Sequence, residues 1–221
     1  MAKKNDRLVS PRGVAVWPRL NEPDFKFKEE GEFSCRTKFD PANADYQAFK
    51  AKLEAIRDEA FAKFCSENPK KKKTAKVVPV YRDELDDEGD ETGMEIINFK
   101  MKHKVTSKKN GKTYKLKPTI MNAKRVLLDP APQVGGGSTV RVSFEVFPYF
   151  NEKDKEFGLS FRLIAVQIIE LVEFGSRNND RNDFDDEEGY EGEGSGSSDD
   201  DDDSDDDSDD GDEAEDGDGD Y

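Results

Sequence analysis

The sequence has one histidine, two cysteines and no run of about 18 apolar residues of the kind that spans a membrane. His103 alone gives little scope for acid–base catalysis, and Cys35 and Cys65 lack metal-ligand and C-x-x-C spacing. No P-loop, dinucleotide or EF-hand spacing occurs, and the basic N-terminus has no apolar signal segment. We therefore expect a cytoplasmic binding protein, not an enzyme, with two buried free thiols and no metal, cofactor or membrane partner.

Charge divides the chain into two parts. The formal net charge is −16, but residues 175–221 carry 24 acidic and 2 basic side chains, whereas residues 1–174 have a net charge of +6. The second part is too poor in apolar residues to offset the entropy of ordering. We expect one folded domain over residues 1–174, followed by a disordered acidic C-terminal tail over residues 175–221.

Alternating apolar residues and short apolar runs indicate a mainly β domain. The predicted strands cover 13–17, 32–39, 77–81, 97–105, 114–116, 120–128, 140–149 and 157–174. A change of phase at 164–166 predicts a bulge or a strand buried on both faces. Gly135–Gly137 predicts a flexible connection, and Trp17 is assigned to the core.

One amphipathic helix is predicted between the second and third of these strands. Asp40 is the expected N-cap, and apolar residues at spacings of three and four continue from Tyr46 until the helix ends near Cys65. Short strands, one helix and no βαβ rhythm favour a five-stranded OB-fold barrel with one inserted amphipathic α-helix. An immunoglobulin-like sandwich remains open on the pattern alone.

A lysine-rich hairpin is the strongest candidate site. Asn110-Gly111 predicts a type I′ turn, and no Asp or Glu occurs between Ile96 and Lys124. A solvated face normally mixes charges, so this run favours a polyanion, bound without sequence preference because lysine supplies charge rather than base reading. The candidate DNA-binding lysines are Lys100, Lys102, Lys104, Lys109, Lys112 and Lys115. Lys70–Lys73 is either a further contact, a localisation signal or a solubilising loop.

Aromatic side chains supply stacking platforms in proteins that bind single strands. Tyr149 and Phe150 follow Pro148, where the alternation ends, so at least one of the two rings should be exposed. Tyr114 is either a stacking residue or, in phase with Leu116, part of the core. These three aromatic residues complete the candidate DNA site.

The acidic tail carries an aromatic residue after its last carboxylates. Asp216, Asp218 and Asp220 precede Tyr221, and this combination resembles single-stranded nucleic acid, with carboxylates in place of phosphates and a ring in place of a base. A flexible chain of this length reaches about 35–40 Å, about the diameter of the domain. We expect the tail to compete with DNA at the empty site and to bind partner proteins when DNA displaces it.

The sequence resembles the single-stranded-DNA-binding proteins of short-tailed lytic bacteriophages. The resemblance is carried by the opening MAKK, Phe99–Lys102, the GGGS of Gly135–Ser138, Val146–Tyr149, Leu171–Gly175 and the Asp-aromatic ending. It implies an OB-fold homodimer that serves phage DNA replication, recombination and repair in the host cytoplasm and anneals complementary strands. It implies strand binding by Lys102 and Tyr149, and docking of the phage DNA polymerase and primase-helicase by Tyr221.

Two other functions remain open on the residues alone. A histone-chaperone-like protein would use the acidic tail to capture basic partners. An RNA-binding OB-fold protein would use the same basic hairpin and aromatic rings to bind RNA instead of DNA.

Overall fold

Buried and exposed side chains alternate along most of the strands, as the sequence predicts. A computed structural model describes residues 7–26 and 28–173, and every statement below concerns those residues. They form one helix, α1 (Ala44–Glu67). The strands are β1 (Arg7–Val9), β2 (Gly13–Asp24), β3 (Glu32–Phe39), β4 (Lys76–Val77), β5 (Arg82–Leu85), β6 (Glu91–Lys102), β7 (Lys104–Thr106), β8 (Thr113–Lys115), β9 (Thr119–Met121), β10 (Thr139–Asn151) and β11 (Glu156–Glu170).

Five strands form a closed circuit of pairings. β2 pairs with β3, β3 with β6, β6 with β11, β11 with β10, and β10 returns to β2. The β6–β11 pair is parallel and the other four are antiparallel. Each of these strands therefore has a neighbour on both sides over part of its length, which satisfies backbone groups that an open edge would expose.

The core lies inside this circuit and under the helix. Phe99, Phe144 and Phe161 meet there, with ring centroids 4.8 to 5.9 Å apart. On the helix side Tyr46 stacks on Phe39, with a centroid distance of 4.7 Å. The inward residues of β3, β6, β10 and β11 are those that the alternating pattern assigns to the buried face. The predicted mainly β domain with a single helix is confirmed.

The helix begins three residues later than predicted. Asn43 is the N-cap, and its side chain accepts hydrogen bonds from the N–H groups of Asp45 (2.9 Å) and Tyr46 (3.1 Å). Asp40, the predicted cap, accepts instead from the N–H of Ala42 (2.8 Å) in the turn before the helix. Asp and Asn are both good caps, so residue type alone did not distinguish the two positions.

The predicted strand over residues 120–128 is wrong beyond its first residues. β9 ends at Met121, and the Asn122 side chain then accepts from the N–H groups of Lys124 and Val126, each at 2.9 Å. Asn122 therefore makes a turn in the middle of an apolar run. Of the predicted edge strand over 77–81, only Val77 lies in a strand, at the end of β4.

The predicted strand over 97–105 is interrupted at His103, which separates β6 from β7. The hairpin is present, but its turn is not type I′: β7 and β8 are joined by residues 107–112, and within this loop only Gly111 has a positive φ, of 67°. A type I′ turn needs two such residues. The Gly135–Gly137 connection is hydrogen-bonded to the strands around it, since the Gly137 N–H donates to Ala15 O at 2.9 Å.

The predictions for the β11 phase change and for the two thiols are confirmed. The phase change near residue 164 is a bulge, because Ser143 pairs with Ala165 while Phe144 pairs with Leu163. Cys35 and Cys65 are buried free thiols, and burial raises the pKa of Cys35 to about 11. Over the described residues, no helix has the length and apolarity needed to cross a membrane.

Candidate nucleic-acid interface

A groove of about 780 Å³ crosses the outer face of β3, β6 and β11. Its lining includes Arg36 of β3, Asn98 and Lys100 of β6, Ser160 of β11 and Tyr149 of β10. The strand register explains why they meet: Arg36 pairs with Asn98, and residues paired across a sheet point to the same face. Cations, an amide and an exposed ring therefore share one open surface.

Carboxylates hold two of the predicted lysines in place. Lys100 Nζ lies 2.9 Å from Glu32 Oε1, and Lys102 Nζ lies 3.8 Å from Glu30 Oε1. Burial alone would raise the pKa of Glu32, but hydrogen bonds from Lys28 and Lys100 hold it below its usual value. Lys100 is thus positioned at the groove while half of its side chain stays exposed.

Tyr149 is the exposed ring of the predicted Tyr149–Phe150 pair. It is 40% exposed and lies over Gly158, where a Cβ atom would come within 2.9 Å of the Tyr149 hydroxyl and 2.6 Å of Val78. Phe150 packs instead on Phe64 of the helix, with ring centroids 4.8 Å apart. The missing side chain at residue 158 makes room for the Tyr149 ring on the sheet.

A buried polar network supports a second ring, Tyr81, at the groove. The Tyr46 hydroxyl donates to Glu95 at 2.6 Å, and Lys50 Nζ donates to the other Glu95 oxygen at 2.7 Å. Lys50 Nζ also lies 3.9 Å from the centre of the Tyr81 ring. Burial, reinforced by Glu95, raises the pKa of Tyr46, so this hydroxyl keeps its proton.

The remaining predicted lysines lie outside the groove. The β7–β8 hairpin, which forms a sheet of its own, carries Lys104, Lys109, Lys112 and Lys115. Tyr114, in the same hairpin, is 48% exposed, and its hydroxyl accepts a hydrogen bond from Asn110 at 3.0 Å. The structure therefore brings Lys100 and Tyr149 together, leaves Lys102 at the end of β6 outside the groove lining, and places the other predicted lysines on a separate basic hairpin.

Several residues at this surface were missed from the sequence. Arg36 and Arg82 line the groove, and Arg162 lies 4.8 Å from the centre of the Phe147 ring. A usable signal was present for Arg36, which alternates with the buried Cys35 and Thr37 and so had to face outward. Trp17, assigned to the core, is 74% exposed, so that prediction is wrong.

Asn98 carries an unusual buried atom in the lining. Across residues 7–26 and 28–173, its Oδ1 is the one buried side-chain oxygen or nitrogen without a hydrogen-bond partner. An unsatisfied acceptor costs about 1–3 kcal/mol unless a donor reaches it. Because Asn98 lines the groove, this unsatisfied acceptor lies beside the candidate site.

The remaining functional predictions concern His103, metal binding and the acidic tail. His103 packs edge-on against Phe33, with ring centroids 5.6 Å apart, and its Nδ1 lies 3.0 Å from Leu116 O, so it joins the hairpin to the domain. No cluster of potential metal ligands occurs in the part of the chain that the structure describes. The tail prediction, with Asp216, Asp218, Asp220 and Tyr221, lies outside the described residues.

Comparison with known proteins identifies the family. The family model described as the single-stranded DNA-binding protein of bacteriophage T7 matches residues 13–171, most of the chain. The chain belongs to this T7 single-stranded DNA-binding protein family. The single-stranded DNA-binding protein of Escherichia phage T7 is 28% identical over 104 residues, which are 47% of this chain and 44% of that protein. The match therefore spans less than half the length of this relative.

A solved structure from bacteriophage T7 agrees with the fold. The crystal structure of gp2.5, a single-stranded DNA-binding protein encoded by bacteriophage T7, superposes with a TM-score of 0.65 and 20% identity, covering 86% of this chain and 100% of that one. The protein of bacteriophage Enc34 in complex with single-stranded DNA gives a TM-score of 0.48 and 18% identity, covering 76% and 89%. The likeness to gp2.5 shows that this member of the family has the gp2.5 fold.

Proposed function

We propose that this protein binds single-stranded DNA, without sequence preference, in the groove across β3, β6 and β11. The observation that carries the proposal is the juxtaposition of Arg36, Lys100 and Tyr149 in one groove of a chain from the T7 single-stranded DNA-binding protein family. Cations that follow a phosphate backbone together with a ring that stacks on bases form the usual site for single strands.

The architecture supports an OB-fold assignment. The circuit of β2, β3, β6, β11 and β10 has five strands, and an OB-fold is a five-stranded Greek-key barrel whose face binds oligonucleotides. In this interpretation the helix is an insertion between β3 and β6. The groove then lies on the surface that this fold uses for nucleic acid.

Charge and ring contacts have separable effects on binding. Arg36→Ala removes one cation, which should lower the slope of log affinity against log salt concentration by about 0.7 for a single strand. Tyr149→Ala should weaken binding by about 1–3 kcal/mol at every salt concentration. Lys52→Ala, an exposed lysine of α1 that does not line the groove, is the matched control.

The test is a titration of a labelled oligo-dT by fluorescence anisotropy, with oligo-U and duplex DNA of the same length alongside. Tight binding of oligo-dT that falls in Arg36→Ala and Tyr149→Ala, but not in Lys52→Ala, supports the proposal. Equal affinity for all three nucleic acids, or equal effects of the three substitutions, refutes it. Preference for oligo-U favours the RNA-binding alternative, and binding of basic proteins alone favours the histone-chaperone-like one.

We propose further that residues 175–221 compete with DNA for the basic surface and bind replication proteins when displaced. Their 24 acidic residues complement the cations of the groove and the hairpin. Removing residues 199–221 from the full chain should tighten DNA binding most at low salt and abolish binding to the phage DNA polymerase and primase-helicase. Unchanged or weaker DNA binding after this deletion contradicts the competition.

Homodimer formation and strand annealing belong to the same proposal, with a role in phage DNA replication, recombination and repair in the host cytoplasm. Both follow from the resemblance to phage single-stranded-DNA-binding proteins. Sedimentation of the full chain measures the dimer directly. Annealing is measured as the rate at which two complementary oligonucleotides pair in the presence of the protein.

A further inference from the structure

Trp17 is the most exposed large apolar side chain of the described residues. Its exposed fraction is 74%, whereas the next highest value, for Leu127, is 59%. A tryptophan can bury 150–250 Å² of surface, so a fold that leaves its ring in solvent forgoes one of its largest sources of stability. Stability therefore does not explain the position of this ring.

A bulge in β2 turns the Trp17 side chain out of the core. Val16 pairs with Arg36 and Arg19 pairs with Ser34, so β2 has one residue more than β3 across this step. Trp17 has a φ of +48°, a left-handed conformation that is unfavourable for any bulky residue. Without the bulge Trp17 would point to the same face as the buried Ala15.

Hydrogen bonds fix the backbone on the approach to the bulge. The Ala15 N–H donates to Ser138 O at 2.8 Å, and the Gly137 N–H donates to Ala15 O at 2.9 Å. Gly136 lies beside this backbone, with its Cβ position 3.8 Å from Trp17 N. A strained conformation persists where its surroundings determine it, and such sites are commonly functional.

Two arginines lie near Trp17 in the strand register. Arg19 and Arg36 are both exposed, and neither forms an ion pair within residues 7–26 and 28–173. Arg36 lines the groove, and its cross-strand partner Val16 directly precedes Trp17. In strand order Trp17 on β2 therefore comes next to the Arg36 side of the groove, whereas Tyr149 on β10 lies on the other side.

We propose that Trp17 stacks on a base of bound single-stranded DNA, as a further ring on the opposite side of the groove from Tyr149. The proposal rests on the proposed function of the groove and extends its length. Along the pairing path β2–β3–β6–β11–β10, the strands β3, β6 and β11 that line the groove lie between the strands of the two rings. A DNA strand that follows the groove over β3, β6 and β11 reaches a ring at each end.

The wild-type protein provides a direct test because Trp17 is its only tryptophan. Excitation at a wavelength that tyrosine does not absorb reports on this one ring while oligo-dT is added to the full chain. A base stacked on Trp17 should quench the emission, along a curve that matches the anisotropy of a labelled oligo-dT. Anisotropy that saturates without a change in tryptophan emission overturns the proposal and leaves the groove function standing. An oligo-dT that does not bind at all overturns the groove function itself.

Substitutions separate stacking from a structural role. Trp17→Leu should weaken oligo-dT binding about 5- to 150-fold, the range for loss of one stacked base, and Trp17→Phe should recover most of the affinity. Leu127→Ala, also exposed, is the control and should bind as the wild type does. Equal affinity of Trp17→Leu and wild type refutes stacking, and so does a failure of Trp17→Phe to bind better than Trp17→Leu.

Trp17→Gly addresses folding. Glycine adopts positive φ readily, so the unfolding temperature should be unchanged or higher, while DNA binding weakens as in Trp17→Leu. A lower unfolding temperature with unchanged DNA affinity gives Trp17 a structural role and overturns the proposal. A partner protein whose binding, but not DNA binding, depends on Trp17 overturns it as well.

Discussion

Replacing Glu32 by glutamine should strengthen the binding of single-stranded DNA. Glu32 forms ion pairs with Lys28 and with Lys100, and Lys100 must leave its carboxylate to bind a phosphate. An exposed ion pair is worth about 0–1 kcal/mol, so Glu32→Gln should raise affinity by up to about fivefold. The gain in affinity should be largest at low salt, because a freed cation steepens the slope of log affinity against log salt concentration by about 0.7. The gain at 50 mM salt should therefore exceed the gain at 200 mM by roughly 2.6-fold.

Anisotropy titrations of oligo-dT at these two salt concentrations measure the effect. Glu59→Gln is the matched control, because Glu59 is an exposed residue of α1 and its replacement changes the net charge equally. If Glu32→Gln and Glu59→Gln give the same affinities at both salt concentrations, the gain is a field effect of net charge. Lys100 then does not bind phosphate, and the reasoning from the groove is refuted.

The pH dependence follows from the direction of the Glu32 shift. The pKa of Glu32 in the folded state is below the usual 4.5. Its ion pairs therefore stabilise the fold fully at pH values above the unfolded-state pKa, and this stabilisation is lost as the pH falls through the folded-state pKa. Glu32 is ionised throughout the range of pH 5.5 to 8. The affinity ratio of Glu32→Gln to wild type should therefore be constant across that range.

Other substitutions test the support of the rings and the core. Gly158→Ala should displace the Tyr149 ring and weaken oligo-dT binding by about 1 kcal/mol or more, without a loss of salt slope, as measured by anisotropy. Tyr46→Phe should lower the free energy of unfolding by about 1.5–3 kcal/mol in urea titrations, because Glu95 loses a buried hydrogen bond. Cys35, buried with a pKa of about 11, should resist iodoacetamide at pH 8 until urea unfolds the protein, as followed by mass spectrometry.

The strands that the sequence predicts best are those with one buried face. In β3, Phe33, Cys35, Thr37 and Phe39 are all buried, and this strict alternation is visible without a structure. The shortest strands have two to four residues, too few to show a period, and β1 and β5 were not predicted at all. Asn122 shows another limit, since a side-chain hydrogen bond ended a strand that the apolar pattern continued.

The site was only partly predictable, because pairing between distant segments creates it. The run of lysines near residue 110 is a local signal that the sequence shows directly, but these lysines lie on the hairpin outside the groove. Arg36 and Tyr149 share a groove only because β3 pairs with β6 and β10 pairs with β11 in the same circuit. Local sequence patterns do not contain the register of these pairings. Trp17 was misassigned for a related reason: the periodic pattern assumes equal residue numbers on paired strands, and the bulge breaks that assumption.

The lysines of β6 and those of the β7–β8 hairpin differ in their ion pairs, so we expect them to affect DNA binding differently. Lys100 and Lys102 have carboxylate partners, so binding a phosphate there exchanges one anion for another. Lys109, Lys112 and Lys115 have no ion pair within residues 7–26 and 28–173, so a phosphate at the hairpin releases counterions instead. Salt dependence should therefore come mainly from the hairpin, and the stacked rings of the groove should supply the part of the affinity that survives high salt.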